Sequence, residues 1–225
     1  MYRIAAAVIS IIFFVSIPAL AELDEIQWRQ GLDVRALMPL GSWKRQFEIT
    51  EGKDRGRIVP LTLQRDSLTA GRWKLSFGDY AGILMQNDAH RGLLLERLNL
   101  YKSRSYIVYE PALAIFAVDA TPGSTGVRQG SFKMFDVETG KLKRSGHVTH
   151  QVKQVSRSRF DTPAGRIDGY YVSINHRMDM KYAELDMTLG LGFHDDGPIF
   201  GAGEYTLTKL GIFKARNTAS AALTQ

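Results

Sequence analysis

The side chains best equipped for chemistry are the five histidines, His90, His147, His150, His176 and His194. His147 and His150 form an HxxH pair, which on a helix would share one face and offer two metal ligands. Here the pair sits in a run where Val148, His150 and Val152 alternate with Thr149, Gln151 and Lys153. That is strand patterning, and in a strand positions three apart point to opposite faces. His176 and His194-Asp195-Asp196 could together hold a metal or activate a water. Yet Asp195-Asp196-Gly197-Pro198 has the composition of an ordinary hairpin tip. Gly123-Ser124-Thr125-Gly126 lacks the strand-to-helix setting of a nucleophile elbow and reads as a turn. Glu184 and Asp186 share a strand face, where a solvated surface explains them without acid–base work. Gly190, Gly192, Gly197, Gly201 and Gly203 precede no helix and so cradle no phosphate; in strands they mark bends. The chain is therefore expected to bind no metal and no cofactor, and it offers no catalytic set.

The elements carrying these residues are strands. Trp43, Phe47 and Ile49 share a face, as do Val59, Leu61 and Leu63, then Trp73, Leu75 and Phe77. Tyr170, Val172 and Ile174 repeat the pattern, and Ala183, Leu185, Met187, Leu189, Leu191 and Phe193 make the longest apolar row. Gly, Pro and Asp punctuate the runs at 121–126, 138–140, 162–165 and 194–198. Residues 24–38 have weak helical spacing, and 90–101 fit helix or strand, with strand favoured. Ala112 to Ala120 is apolar enough for burial on both faces. A last strand runs from Tyr205 to about Phe213, and 217–225 read as a flexible tail. Strands joined by short turns predict a mainly β fold: a single curved antiparallel sheet or half-open β-barrel with one or two short helices.

Composition narrows the function. Met1-Tyr2-Arg3 followed by the uncharged Ile4–Ile17 run, Pro18 and Ala19-Leu20-Ala21 has the layout of a cleaved signal peptide, giving a mature chain from Glu22. The apolar run is shorter than the roughly 20 residues of a membrane span. There is no cysteine, hence no disulfide, no thiolate chemistry and no lipidation site. Together these predict one β-rich domain, 22–216, in a bacterial periplasm. The net charge of +6 is spread among apolar residues and forms no stripe for nucleic acid. It is compatible with attraction to an anionic membrane surface or an acidic glycan without demanding either.

The stretch DTPAGRIDGYYVSINHR, 161–177, joins these lines. Pro163 fixes φ, Gly165 permits a positive one, and Asp161 and Thr162 accept backbone hydrogen bonds, so this is a hairpin corner. A shift is expected at Asp168-Gly169. The Thr-Pro-Ala-Gly corner followed by Asp-Gly-Tyr-Tyr-Val resembles a bacterial periplasmic family of unknown function built from curved antiparallel sheets. The implied shape is similar to half-barrel lipoprotein carriers. A curled sheet with one apolar face encloses a core or a cavity. An exported envelope module binding a lipid-like or other apolar ligand, or an envelope protein partner, follows as the expectation. Its ligand would meet Trp43, Trp73, Tyr170, Val172, Ile174, Leu185, Met187, Leu189 and Phe193, with Tyr205 orienting a polar head. The alternatives are a small outer-membrane β-barrel and a periplasmic hydrolase of envelope glycans or lipids.

Overall fold

Antiparallel neighbours in sequence are neighbours in space throughout this chain. A computed structural model describes residues 37–116 and 127–224. The strands are β1 (Trp43–Glu51), β2 (Ile58–Arg65), β3 (Arg72–Phe77), β4 (Ala81–Asp88), β5 (Gly92–Leu100) and β6 (Ser105–Phe116). They continue with β7 (Val127–Asp136), β8 (Leu142–Thr162), β9 (Gly165–Met180), β10 (Ala183–His194), β11 (Gly197–Lys209) and β12 (Phe213–Leu223). Each pairs with the next, and β12 returns to β1, so the sheet closes into an up-and-down barrel.

Closure corrects the half-open expectation, and its cause lies in the segment read as a tail. Residues 217–223 are the second half of β12, which begins at Phe213 where the last strand was expected to end. Phe47 opposes Leu223 and Ile49 opposes Ala221 across the seam. The run Ala219-Ser220-Ala221-Ala222 looks polar and small, but small side chains are what a closely approached seam accommodates. All four are buried. Thr50 and Ser220 share a hydroxyl–hydroxyl hydrogen bond of 2.5 Å beside it. The hairpin corner also belongs to the seam, since the Ala164 N–H donates to the Leu223 carbonyl at 3.1 Å.

No α-helix occurs among the described residues. The one expected over 24–38 lies almost wholly outside them, as does the Gly123–Gly126 turn. Residues 92–100 form β5, as favoured from the alternation. Gly169 shows no register shift; Ser158 still opposes it. Its role is close approach, because a Cβ there would lie 2.2 Å from the Phe193 carbonyl oxygen.

The inward rows are apolar and buried: Phe47 and Ile49, Leu61 and Leu63, Val172 and Ile174, Leu185, Met187 and Leu189. The outward rows are polar. Arg177 alone meets Asp179 at 2.9 Å, Glu184 at 2.5 Å and Asp186 at 3.9 Å on the outer surface. Opposite walls touch through the interior: Phe116 of β6 meets Phe193 of β10 edge to face, ring centroids 6.0 Å apart. Most of the interior is thus filled by side chains, in keeping with the close packing of protein cores.

Candidate functional site

Near mid-barrel the packing leaves a cavity of about 120 Å³. Its wall is apolar, with Leu61, Met85, Leu98, Ile174, Leu189 and Phe193 among its members. Met38, from the segment before β1, lines it too and is buried. Three polar side chains break the apolar lining: Tyr109 of β6, His150 of β8 and His176 of β9.

The histidines meet because of a bulge. The corner pairs Thr162 with Gly165 and keeps that register through Val155 and Val172. Between Val152 and Gln154 the register slips by one residue, so that His150 opposes His176. Without the slip His150 would face Arg177. A one-residue slip also flips which face a side chain occupies. The apolar spacing Val148, Val152, Val155 in the sequence is the trace of it.

Hydrogen bonding fixes the tautomers. His150 Nε2 lies 3.1 Å from the Ile115 carbonyl oxygen, which can only accept, so Nε2 carries the hydrogen. That carbonyl is available because β6 and β7 make no registered pair beyond Glu110 and Ser131. A neutral His150 then offers a lone pair at Nδ1, and His176 Nδ1, 3.3 Å away, donates to it. His176 Nε2 is left as a bare acceptor. Both rings are neutral: burial lowers the pKa of His150 to about 4 and that of His176 to about 3, with Arg128 and His150 respectively adding to the effect.

Two polar atoms at this site have no partner among the described residues, His176 Nε2 and the Tyr109 hydroxyl. Both residues are more than nine-tenths buried, His176 at 5% exposed and Tyr109 at 3%. Burial raises the Tyr109 phenol, which keeps its O–H. The two rings stand edge to face with centroids 6.3 Å apart. An orphaned buried polar group costs about 1–3 kcal/mol, so two at one cavity call for an explanation.

A second polar cluster surrounds a buried tyrosine where β3 turns into β4. Tyr80 is fully buried and donates to Asp54 Oδ2 at 2.7 Å, while Arg57 donates to its oxygen at 3.2 Å. Lys102 donates to the same Asp54 oxygen at 2.9 Å and sits 3.8 Å from the centre of the Tyr80 ring. Every polar atom of this cluster that is buried is matched.

Of the residues expected to meet a ligand, the structure brings Ile174, Leu189 and Phe193 to the cavity. Val172, Leu185 and Met187 are buried in the surrounding core. Trp43, Trp73 and Tyr170 are half-buried against it, Trp43 donating from Nε1 to the Pro39 carbonyl at 3.1 Å. Tyr205 is half-buried and its hydroxyl accepts from Asn217 at 2.9 Å. His147 is exposed and His150 buried, the opposite faces that strand geometry demands. His194 stays at the β10–β11 turn, 2.9 Å from Asp196, and does not join His176. Sequence reasoning missed Tyr109 and the pairing of His150 with His176. The signal was there, since both histidines occupy inward apolar rows, but joining them required the bulge.

No protein-family model and no curated protein matches this chain. Two solved structures align with it. One, named "putative exported protein with YMCC-like fold", is from Bacteroides fragilis, with 9% identity and a TM-score of 0.37, covering 84% of this chain and 97% of that one. The other, named "putative lipoprotein", is from Parabacteroides distasonis, with 9% identity and a TM-score of 0.35 over the same shares. Similarity at this level carries no argument about what this chain does.

Proposed function

We propose that this chain is exported to the bacterial periplasm and works there as a non-catalytic binding module for a lipid-like or other apolar ligand. The observation that carries the reading is an apolar cavity enclosed by a barrel whose outer rows are polar. An apolar molecule gains about 25 cal/mol per Å² of surface removed from water, and the inward rows offer that surface. The cavity is close in size to an engineered 150 Å³ void that takes benzene. The ligand is thus a small apolar molecule, or one end of a longer one whose remainder lies toward Met38. The leader-like N-terminus and the absence of cysteine support export.

A closed barrel also fits the outer-membrane alternative, but the outer rows argue against a lipid-facing belt. Lys74, Lys133, Arg177 and Asp186 project from within their strands, where a hydrocarbon exterior tolerates charge poorly. Native mass spectrometry on protein taken from the periplasmic fraction without detergent tests the proposal. A retained mass that organic solvent extracts is expected. A clean apo mass would sink the retained-ligand reading in favour of an envelope partner-binding module, and recovery only from the membrane pellet would restore the outer-membrane one.

A further inference from the structure

We infer that the cavity selects an apolar ligand by one uncharged hydroxyl-bearing head: an alcohol, a phenol or an un-ionised carboxylic acid. The inference rests on the binding reading above and names the chemistry of the head. The relay from the Ile115 carbonyl through His150 to His176 leaves a lone pair at His176 Nε2 with no donor. The Tyr109 O–H supplies a donor with no acceptor. A hydroxyl admitted by a small movement of the wall, since neither atom is open to the cavity as it stands, meets both needs by donating to Nε2 and accepting from Tyr109. A carboxylate or phosphate could not donate to Nε2 and would lose its hydration against an apolar wall. An ammonium would be buried as expensively. A lone water would find two partners where buried waters typically have about three, and would forgo the apolar contacts that a carbon body makes.

Phenol and toluene form a matched pair for the test, alike in shape and different in the hydroxyl. Binding is measured by NMR titration of the purified, delipidated full-length protein. Phenol is expected to bind about tenfold more tightly than toluene, the ratio that one net hydrogen bond gives. His176→Phe removes the acceptor and Tyr109→Phe the donor; each should erase the preference, and Tyr109→Phe keeps the ring that packs the wall. Equal binding of phenol and toluene by the unaltered protein would overturn the inference while leaving the apolar-cavity reading intact. Binding of neither would remove both.

A separate observation concerns the barrel end formed by the β7–β8, β9–β10 and β11–β12 turns. We propose that this end docks on an anionic membrane surface. Val137, Leu142, Tyr182, Leu210, Ile212 and Phe213 are exposed there, the last four at 63–74%. The Leu210 N–H donates to the Tyr182 carbonyl at 3.0 Å, which holds the two apolar tips side by side. Leu210 has φ 51°, a conformation in which a bulky side chain is uncommon, and it leads into Gly211 at φ 72°. Lys181, Lys209 and Lys214 flank the tips, and among the described residues none pairs with a carboxylate. Apolar side chains backed by lysines match an anionic interface, where the rings and chains enter the headgroup region and the cations meet lipid phosphates.

Cosedimentation with vesicles of equimolar phosphatidylcholine and phosphatidylglycerol, against phosphatidylcholine alone, reads this directly. Binding is expected only with the anionic lipid and should weaken with salt. The triple variant Leu210→Ser, Ile212→Ser, Phe213→Ser should lose roughly tenfold or more in partitioning while circular dichroism confirms its fold. Tyr182→Ser is the milder companion. No binding by the unaltered protein, or unchanged partitioning of the folded triple variant, would overturn the assignment.

Discussion

Two polar clusters form around buried tyrosines of the same barrel, and they differ in how they are completed. Around Tyr80 each buried polar atom has a partner, and two cations, Arg57 and Lys102, lie over the ring at 5.1 and 3.8 Å from its centre. Around Tyr109 the relay is complete up to His176 and then stops, with one donor and one acceptor left unpartnered on residues that line a cavity. Both tyrosines are buried, but the Tyr80 partners Asp54, Arg57 and Lys102 are 32%, 45% and 34% exposed, whereas His150 and His176 are buried. The difference teaches that the first cluster ties the turns of one barrel end together, whereas the second is finished only when something enters. Charge follows the same division: Asp54, Arg57 and Lys102 sit at the barrel rim, and the mid-barrel cluster is neutral.

The largest test of this contrast removes Tyr80. Tyr80→Ala deletes a fully buried ring and frees Asp54, and should cost about 3–5 kcal/mol in urea unfolding. A loss below about 1 kcal/mol would show that the cluster holds nothing together. Acidification separates the clusters next. In the unfolded chain His150 and His176 take up protons near pH 6.5, but in the folded barrel only near pH 4 and pH 3. The unfolded state binds more protons in that window, so stability falls as pH drops below about 6.5, by up to about 1.4 kcal/mol per pH unit for each histidine. Arg128, in register with His150, and Tyr109, whose phenol burial keeps protonated, face the pair. Asp54, held low by the Tyr80 and Lys102 hydrogen bonds, contributes its loss only at lower pH, as its carboxylate protonates. A His150→Gln, His176→Gln double variant should flatten the upper window and leave the lower one; an unchanged slope would show that other groups carry it.

A finer comparison uses the same substitution twice. Tyr80→Phe takes one partner each from Asp54 and Arg57, which water can reach, and should cost about 0.5–1.5 kcal/mol. Tyr109→Phe removes a hydroxyl that has no partner, so its stability should stay within about 0.5 kcal/mol of the parent. Equal losses at both sites would erase the distinction. The smallest effect is spectroscopic: nitrogen-15 NMR should find His150 protonated at Nε2 and His176 at Nδ1. The reverse tautomers would turn the cavity's acceptor into a donor.

The strands were legible wherever one face is apolar and the other polar, as in 183–193, and the Thr162–Gly165 corner announced its hairpin. Closure was not, because β12 carries its seam on alanines and a serine, whose burial comes from neighbours and not from their own hydrophobicity. The apolar wall at Ile174, Leu189 and Phe193 could be read from alternation. The polar trio could not. Tyr109 of β6 reaches His176 of β9 past two intervening strands, a relation that the curl of the sheet creates, and the histidine pair depends on a slip at Val152–Gln154.

The seam between β1 and β12 has a kinetic consequence. Every other pairing joins consecutive strands and can form as a local hairpin, whereas Phe47 must find Leu223 from the far end of the sheet. Loop-closure entropy makes such a contact slow. Until that contact forms, the sheet has two unpaired edges, one of them carrying the run Ala219-Ser220-Ala221-Ala222. Such an edge can pair with another molecule as readily as with its own β1. Folding of this chain is therefore a race between closing on itself and joining a neighbour, won by dilution.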